Sequence, residues 1–408
     1  MRLSDPRPDG SGVDVSVDGE RRRFTWTWLR DHARDPGSYY AAGAQRLVSA
    51  ATVEAAGPAT ARVTPDGAAL EVEWPEGPHC SFPATLLAEV GPTSRSAHPI
   101  RDRQVPWTRA ERHGDLCRVD ARDLLDDESA VGVALDAFSR DGVFLVVGIP
   151  THLEATRAVL ERIGYVRRTI FGDVWQYASD GGYDDTASTS LEITPHTDGT
   201  YSVDAPGLLA LHCHRYEATG GDNVLVDGLA AAERLARTDP AAAEVLRTED
   251  IPARYIGDGA HLVAARPVLR SDDDGVVQVS YNHHDRAPFH LPEPRMSEVY
   301  AALHRFDRTI REPDLTVDVA LRPGEMLLLD NWRVLHGRRE FRGHRQMAGG
   351  YLNREDVESR LRGLRDRGLA AQRDASSARS TARIERSASA SASERTGIEN
   401  SRRSTRPA

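Results

Sequence analysis

The sequence predicts a mainly β protein, a β-sandwich or jelly roll with helices packed outside. Three observations lead there. Many apolar segments of strand length recur between residues 121 and 368, with few helical patterns among them. Some of them, such as 143–149, are continuous apolar runs of the kind that buried central strands need. The front of the chain, 11–100, instead shows short alternating segments with polar faces, the mark of a small separate sheet.

In that front unit, 13–17 alternates with period two, 24–29 reads as a second strand and 69–74 as a third, ended by Pro75. Pro65-Asp66-Gly67 supplies a turn between them. Residues 101–120 are polar and irregular around Pro106-Trp107, and read as a linker draped over a neighbour.

A larger domain over 121–368 follows. Val131, Leu135 and Phe138 fall on one face of a helix over 130–141, stopped by Gly142; a second helix over 153–163 is stopped by Gly164. Residues 171–190 are turn-rich with Trp175, Tyr177 and Tyr183 embedded, the composition of a pocket-lining loop. Strands follow at 208–213 and 224–226 around Thr219-Gly220-Gly221, and a helix at 229–237. The remaining elements are strands at 276–281, 317–321, 326–329 and 347–352, and a helix over 296–310 with Val299, Leu303, Phe306 and Ile310 in register. The tail, 369–408, is Ser, Ala, Arg and Glu without periodicity and is expected to be disordered.

Composition narrows the function. A net charge of −10 and a pI near 5.9 argue against a nucleic-acid partner. Mean hydropathy is −0.50, no apolar run reaches membrane-span length, and residues 1–10 lack a signal-peptide core. Cys80, Cys117 and Cys213 form no C-x-x-C, so neither a disulfide framework nor a thiolate zinc knuckle is expected, and a cytoplasmic setting fits. All 52 basic residues are Arg, so an anion clamp must be an Arg or backbone.

The chemistry centres on His196-Thr197-Asp198. In an extended segment, side chains at i and i+2 share a face, so an imidazole and a carboxylate can converge on one ion. His336, after a strongly apolar strand, is the candidate third ligand. Two His and one carboxylate with open positions opposite is the arrangement of non-heme Fe(II) oxygenases. Arg345, nine residues beyond His336, could fork the far carboxylate of a dicarboxylic 2-oxo acid chelating that metal. Asn223, after the Gly220-Gly221 turn, could bond a carboxylate. Trp175, Tyr201 and Tyr351 read either as core aromatics or as faces for a quaternary ammonium, with Asp185 adding negative charge.

These residues resemble the gamma-butyrobetaine and trimethyllysine hydroxylase family, within the taurine dioxygenase superfamily of 2-oxoglutarate-dependent dioxygenases. The resemblance spans about 11–365. Its most specific parts are His196-Thr197-Asp198, Leu211-His212-Cys213, Thr219-Gly220-Gly221-Asp222, Val226-Asp227-Gly228, Tyr281-Asn282 with Asp285-Arg286, and 330–352. It implies a double-stranded β-helix catalytic domain. It implies iron on His196, Asp198 and His336, 2-oxoglutarate on Arg345, O2 as co-substrate with ascorbate as reductant, and a homodimer. Asn223 stands where the superfamily often has a hydroxyl residue. The resemblance matches Trp175 and Tyr351 to substrate-cage positions and puts Asp185 where an Asn would be; Tyr201 and Asn282 are further candidate substrate contacts.

The cage for a trimethylammonium group is half present, with Phe171 in place of a Tyr and Ser188 in place of an aromatic. Relatives hold a structural zinc in the N-terminal domain; here the cysteines are absent, and His79 with Asp35 or His32 is a poor ligand set, so the zinc is expected to be lost. The expected activity is hydroxylation of a small trimethylammonium compound or amino acid. The alternatives are the same chemistry on a secondary-metabolite amino acid, a sulfonate or a phosphonate, and a non-catalytic metal or 2-oxoglutarate binder.

Overall fold

The computed structural model describes residues 1–49, 59–75, 77–89, 100–112, 116–178, 189–257 and 259–368. Asp185, Ser188 and the tail lie outside them. The chain divides into two compact units, Met1–Ala97 and His98–Ala408.

The first unit holds an antiparallel sheet of β1 (Leu3–Pro8), β2 (Gly12–Val17) and β3 (Glu20–Thr25), and a two-stranded pair, β4 (Tyr39–Tyr40) and β5 (Gln45–Arg46). A further sheet joins β6 (Thr60–Val63), β7 (Ala69–Glu73) and β8 (His79–Pro83). Val13, Val15 and Val17 alternate into a core with Leu70, Val72 and Phe82. The sequence expectation of a strand over 24–29 is corrected: β3 ends at Thr25, whose side chain accepts from Trp28 N and caps a helix, Trp26–Asp31. The apolar run misled because Trp26 and Leu29 are buried at helical, not strand, spacing.

In the second unit, a seven-stranded sheet runs in the order β11 (Val166–Arg167), β23 (Phe341–Leu352), β14 (Leu208–Gly220), β21 (Met326–Asp330), β10 (Val143–Val147), β9 (Arg118–Asp120), with β12 (Val174–Ala178) also pairing β23. A four-stranded sheet runs β13 (Ile193–His196), β22 (Val334–Arg338), β15 (Asn223–Asp227), β20 (Thr316–Val319). The alternation along β14 shows how the layers form. Leu208 and Ala210 pack outward with Val131, Phe138 and Leu160 of the helices Glu128–Asp141 and Leu153–Ile163. Leu209 and Leu211 face inward onto Leu225, Val317 and Val334 of the smaller sheet. This is a double-stranded β-helix with flanking helices. Two hairpins, β16 (Asp250–Gly257) with β17 (Ala260–Pro267) and β18 (Leu269–Asp272) with β19 (Gly275–Val279), lie outside both sheets.

Two further expectations are corrected. The segment 171–190 is not all loop, since β12 is hydrogen-bonded along β23. Within 101–120, Trp107 is buried: its amide donates to Asp227 Oδ2 at 2.9 Å and its indole to Asp141 O at 2.7 Å. Asp227 also forms a fully buried pair with Arg333, whose guanidinium reaches Val105 O and Arg140 O. A buried charge pair is tolerated only when its remaining donors and acceptors are satisfied in this way.

Candidate active site

Close strand packing brings the ligand candidates together. β13 pairs with β22 so that His196 lies directly opposite His336. Gly337 permits this: a Cβ there would strike Ile193 O at 2.5 Å. Asp198 lies just past the end of β13, so its approach is set by a clamp rather than by strand geometry. Asn331 Oδ1 accepts from Asp198 N at 2.8 Å, and Asn331 Nδ2 donates to Asp198 O at 2.9 Å.

His196 Nε2 and His336 Nε2 stand 3.3 and 3.6 Å from Asp198 Oδ1. Two ligands bound at right angles, each about 2.1 Å from an ion, lie roughly 3 Å apart. The donor set therefore fits a divalent metal, and among the described residues these three are the group of ligand types whose atoms all lie within 4.8 Å of one another. His196 Nδ1 is 2.8 Å from Thr194 O, which fixes the tautomer that leaves Nε2 with its lone pair toward the centre. Tyr351 Oη donates to Asp198 Oδ2 at 2.9 Å, leaving Oδ1 for the metal side.

Electrostatics favour an ionised Asp198 and a neutral His336. Burial opposes ionisation of Asp198, but the facing imidazoles of His336 and His196 and the hydrogen bond from Tyr351 hold its carboxyl well below the usual range. Burial pushes His336 down to about 4, keeping it a neutral imidazole. Burial acts the same way on His196, yet the hydrogen bond and charge of Asp198 outweigh it and raise that group.

The ligands open into a cavity of about 330 Å³. Arg345, Asn223, Trp175, Tyr201, Asn282 and Tyr351 line it as well, so every described candidate from the sequence meets in one space. Arg345, on β23, is 4% exposed. Its Nη2 is 3.4 Å from Asn223 Oδ1, while Asn223 Nδ2 donates to Val319 O at 3.2 Å. Asn223 thus aims the arginine. Trp175 stands 5.6 Å, ring to ring, from Tyr351 and fits over Gly349, where a Cβ would collide with the indole. Asn282 Nδ2 donates to Asp285 Oδ2 at 2.8 Å and its Oδ1 accepts from His284 N at 3.0 Å.

Sequence reasoning missed several wall residues. Arg338 donates to Thr189 O and Leu191 O, and burial pushes its guanidinium down to about 10. One Arg among many on a strand gave no distinguishing signal. Tyr255, on the β16–β17 hairpin, was invisible because that hairpin was not recognised. The clamp residue Asn331 had a signal, a polar residue between Asp330 and Trp332 directly after an apolar strand. In the first unit, Asp35 pairs with Cys80 (Sγ to Oδ2 3.6 Å), His32 stacks on Trp28 at 4.0 Å, and His79 faces Glu71 at 3.9 Å.

Fold and site together define a class: a mononuclear non-heme iron oxygenase built on a double-stranded β-helix. The taurine catabolism dioxygenase TauD, TfdA family model matches residues 102–351, and the chain belongs to that family. Its relatives include trimethyllysine dioxygenase of Gallus gallus, 34% identical over 365 residues and 87% of each chain. That of Homo sapiens is 33% identical over 84% of this chain and 83% of its own. That of Meyerozyma guilliermondii is 31% identical over 86% of this chain and 93% of its own. The chain is accordingly a dioxygenase.

Proposed function

We propose that the protein is an Fe(II)- and 2-oxoglutarate-dependent hydroxylase of a trimethylammonium substrate of the trimethyllysine type. The observation that carries this is the meeting of His196, Asp198 and His336 in a cavity that also holds Arg345 and the Trp175–Tyr351 pair. The substrate class is supported by the relatives named trimethyllysine dioxygenase.

Iron and 2-oxoglutarate, when bound, supply oxygen activation coupled to decarboxylation of the oxo acid to succinate and CO2. The residues do the rest. His196, Asp198 and His336 would hold the metal. Arg345, whose Nη2 lies 3.4 Å from Asn223 Oδ1, would receive the far carboxylate of 2-oxoglutarate. Tyr351 keeps Asp198 in its ligating orientation. The aromatic walls exclude water and fix which C–H bond faces the centre. Asp198 argues against halogenation, which needs that coordination position for a halide.

The substrate is a small molecule. Among the described residues no helix is long and apolar enough to cross a membrane. The three cysteines are free, in keeping with a reducing, cytoplasmic setting, although vertebrate relatives carry "mitochondrial" in their names. A homodimer is the expected assembly, tested by light scattering.

The deciding experiment incubates the protein with trimethyllysine, 2-oxoglutarate, Fe(II) and ascorbate. A product heavier by one oxygen, with matching succinate, is expected. Such a product only from uncharged amino acids, sulfonates or phosphonates overturns the substrate class. Binding of iron and 2-oxoglutarate without succinate from any of them overturns the catalytic reading.

A further inference from the structure

The second unit holds two guanidinium groups whose charge the fold does not answer. Arg266 lies near the end of β17 and Arg270 near the start of β18, with buried Val268 and Leu269 between them. Both are half-buried. Arg266 Nη2 donates to Ser202 O and, at 3.4 Å, to Val203 O. The Arg270 guanidinium lies 5.0 Å from the centre of the Trp332 ring, and that indole donates from Nε1 to Ala205 O at 3.0 Å. Both cations are thereby gathered against one strip of backbone, 202–205.

Backbone carbonyls and an indole face give these groups direction but cancel no charge. Among the described residues neither arginine has a carboxylate at ion-pair distance. Their cationic neighbours do. Arg167 pairs with Asp204 at 3.1 Å. Arg354, which also lies 5.5 Å from the Trp332 ring, pairs with Asp330 at 2.6 Å and Glu358 at 3.0 Å. Those carboxylates are already engaged. Arg266 Nη1 and Arg270 Nε are buried with no hydrogen-bond partner among the described residues. Burial pushes both guanidiniums below their ordinary value; the charge of Arg270 adds to the effect on Arg266, and Asp204 offsets it only in part.

Two like charges drawn together and partly out of water repel each other and lose hydration, a cost that an anion between them removes. Guanidinium N–H groups match the oxygens of a carboxylate, phosphate or sulfate, singly or as a fork. The approach is open, since Val203, beside Arg266, is 88% exposed. Neither arginine lines the metal cavity.

We propose that Arg266 and Arg270 form a binding site for a small free oxyanion on the strip 202–205, separate from the metal cavity. The strip ends a loop that begins at the metal ligand Asp198, whose backbone is clamped by Asn331, the neighbour of Trp332. A bound oxyanion therefore fastens the outer end of the metal-ligand loop.

The test titrates sulfate calorimetrically, without oxygen and at constant ionic strength, onto protein loaded with Fe(II) and 2-oxoglutarate. Wild type should bind it saturably, one ion per chain. Arg266→Gln and Arg270→Gln should each weaken binding by about 10–100-fold, the range for losing one charged hydrogen-bonding partner. Arg270→Lys, which keeps the charge, should retain most of the affinity. Arg342→Gln, at an exposed position of β23, should bind as wild type does. The proposal is overturned if wild type shows no saturable binding, or if binding survives both glutamine substitutions. It is also overturned if both substitutions lower the mass of the assembly by light scattering while sulfate leaves wild type untouched. The arginines would then be answered by a carboxylate of a second copy rather than by a free ion.

Discussion

His196-Thr197-Asp198 and His212-Cys213-His214 both place potential metal ligands at i and i+2, and they come to opposite ends. His196-Thr197-Asp198 opens into the cavity, and His336 arrives from the neighbouring strand to complete the set. His212-Cys213-His214, on β14, points the other way. Leu211 lines the cavity, so the adjacent His212 lies on the helix-facing side of the sheet. There Thr156 Oγ1 is 2.8 Å from His212 Nδ1 and 3.1 Å from His214 Nε2, the two rings lie 4.5 Å apart, and Gln176 Nε2 reaches His214 Nδ1 at 3.2 Å. Spacing delivers two donors to one face in both places. What separates them is a carboxylate, a third ligand from the facing strand and open space beside them. A hydroxyl and an amide give the second pair hydrogen bonds instead.

The sharpest way to break this contrast is to delete a histidine from each. His336→Ala should abolish stoichiometric iron binding in anaerobically loaded protein, and with it succinate formation. His214→Ala should leave the iron content at the wild-type level. Loss of iron in the second variant would show that the two pairs act as one site.

The next effect separates metal from co-substrate. Arg345→Leu removes one partner of a buried charged contact, a loss of about 2–5 kcal/mol. Its 2-oxoglutarate affinity should fall by roughly 10²–10³-fold while iron binding holds, read by titrating the metal-loaded protein without oxygen. Tyr351→Phe follows. It deletes the bond to Asp198 Oδ2, and partners of metal ligands are worth roughly 10–100-fold in metal affinity. The equivalent loss at the second pair, Thr156→Val, should leave iron unchanged.

How much of this could be read from the chain follows the same division. His196, Asp198 and His336 were legible because type and spacing agree, whereas Arg345 stood out from Arg338, Arg339 and Arg342 only through the family resemblance. The apolar strands were legible because both faces of β10 and β21 are buried, leaving continuous runs. The hairpin β16–β17 was not, because its strands are mostly half-exposed and Pro252 and Pro267 interrupt them. With it Tyr255 was lost. Arg338 was hidden by the arginines around it, and the strand Leu3–Pro8 by its two prolines. No spacing rule foretells that Asn331 would clasp the backbone of Asp198 from 133 residues away, since that contact exists only once the sheets close.

The smallest effect concerns the second pair alone and appears in stability. Burial, followed by the nearby charge of His214, pushes His212 down to about 3 from 6.5, and burial lowers His214 too. A base whose folded pKa is depressed stays neutral in the native state while the unfolded chain takes up a proton below pH 6.5. Stability contributed by His212 is therefore complete above pH 6.5 and is lost as pH falls toward 3. Each unit of pH in that window costs about 1.4 kcal/mol for one imidazole. Between pH 7.5 and 5.5, metal-free wild type should lose about 1.4 kcal/mol more than His212→Gln, measured by urea denaturation at each pH. Parallel pH profiles for the two proteins would mean that the pair is charged or solvated in the native state. The view of it as a neutral, packed counterpart of the metal centre would then have to go.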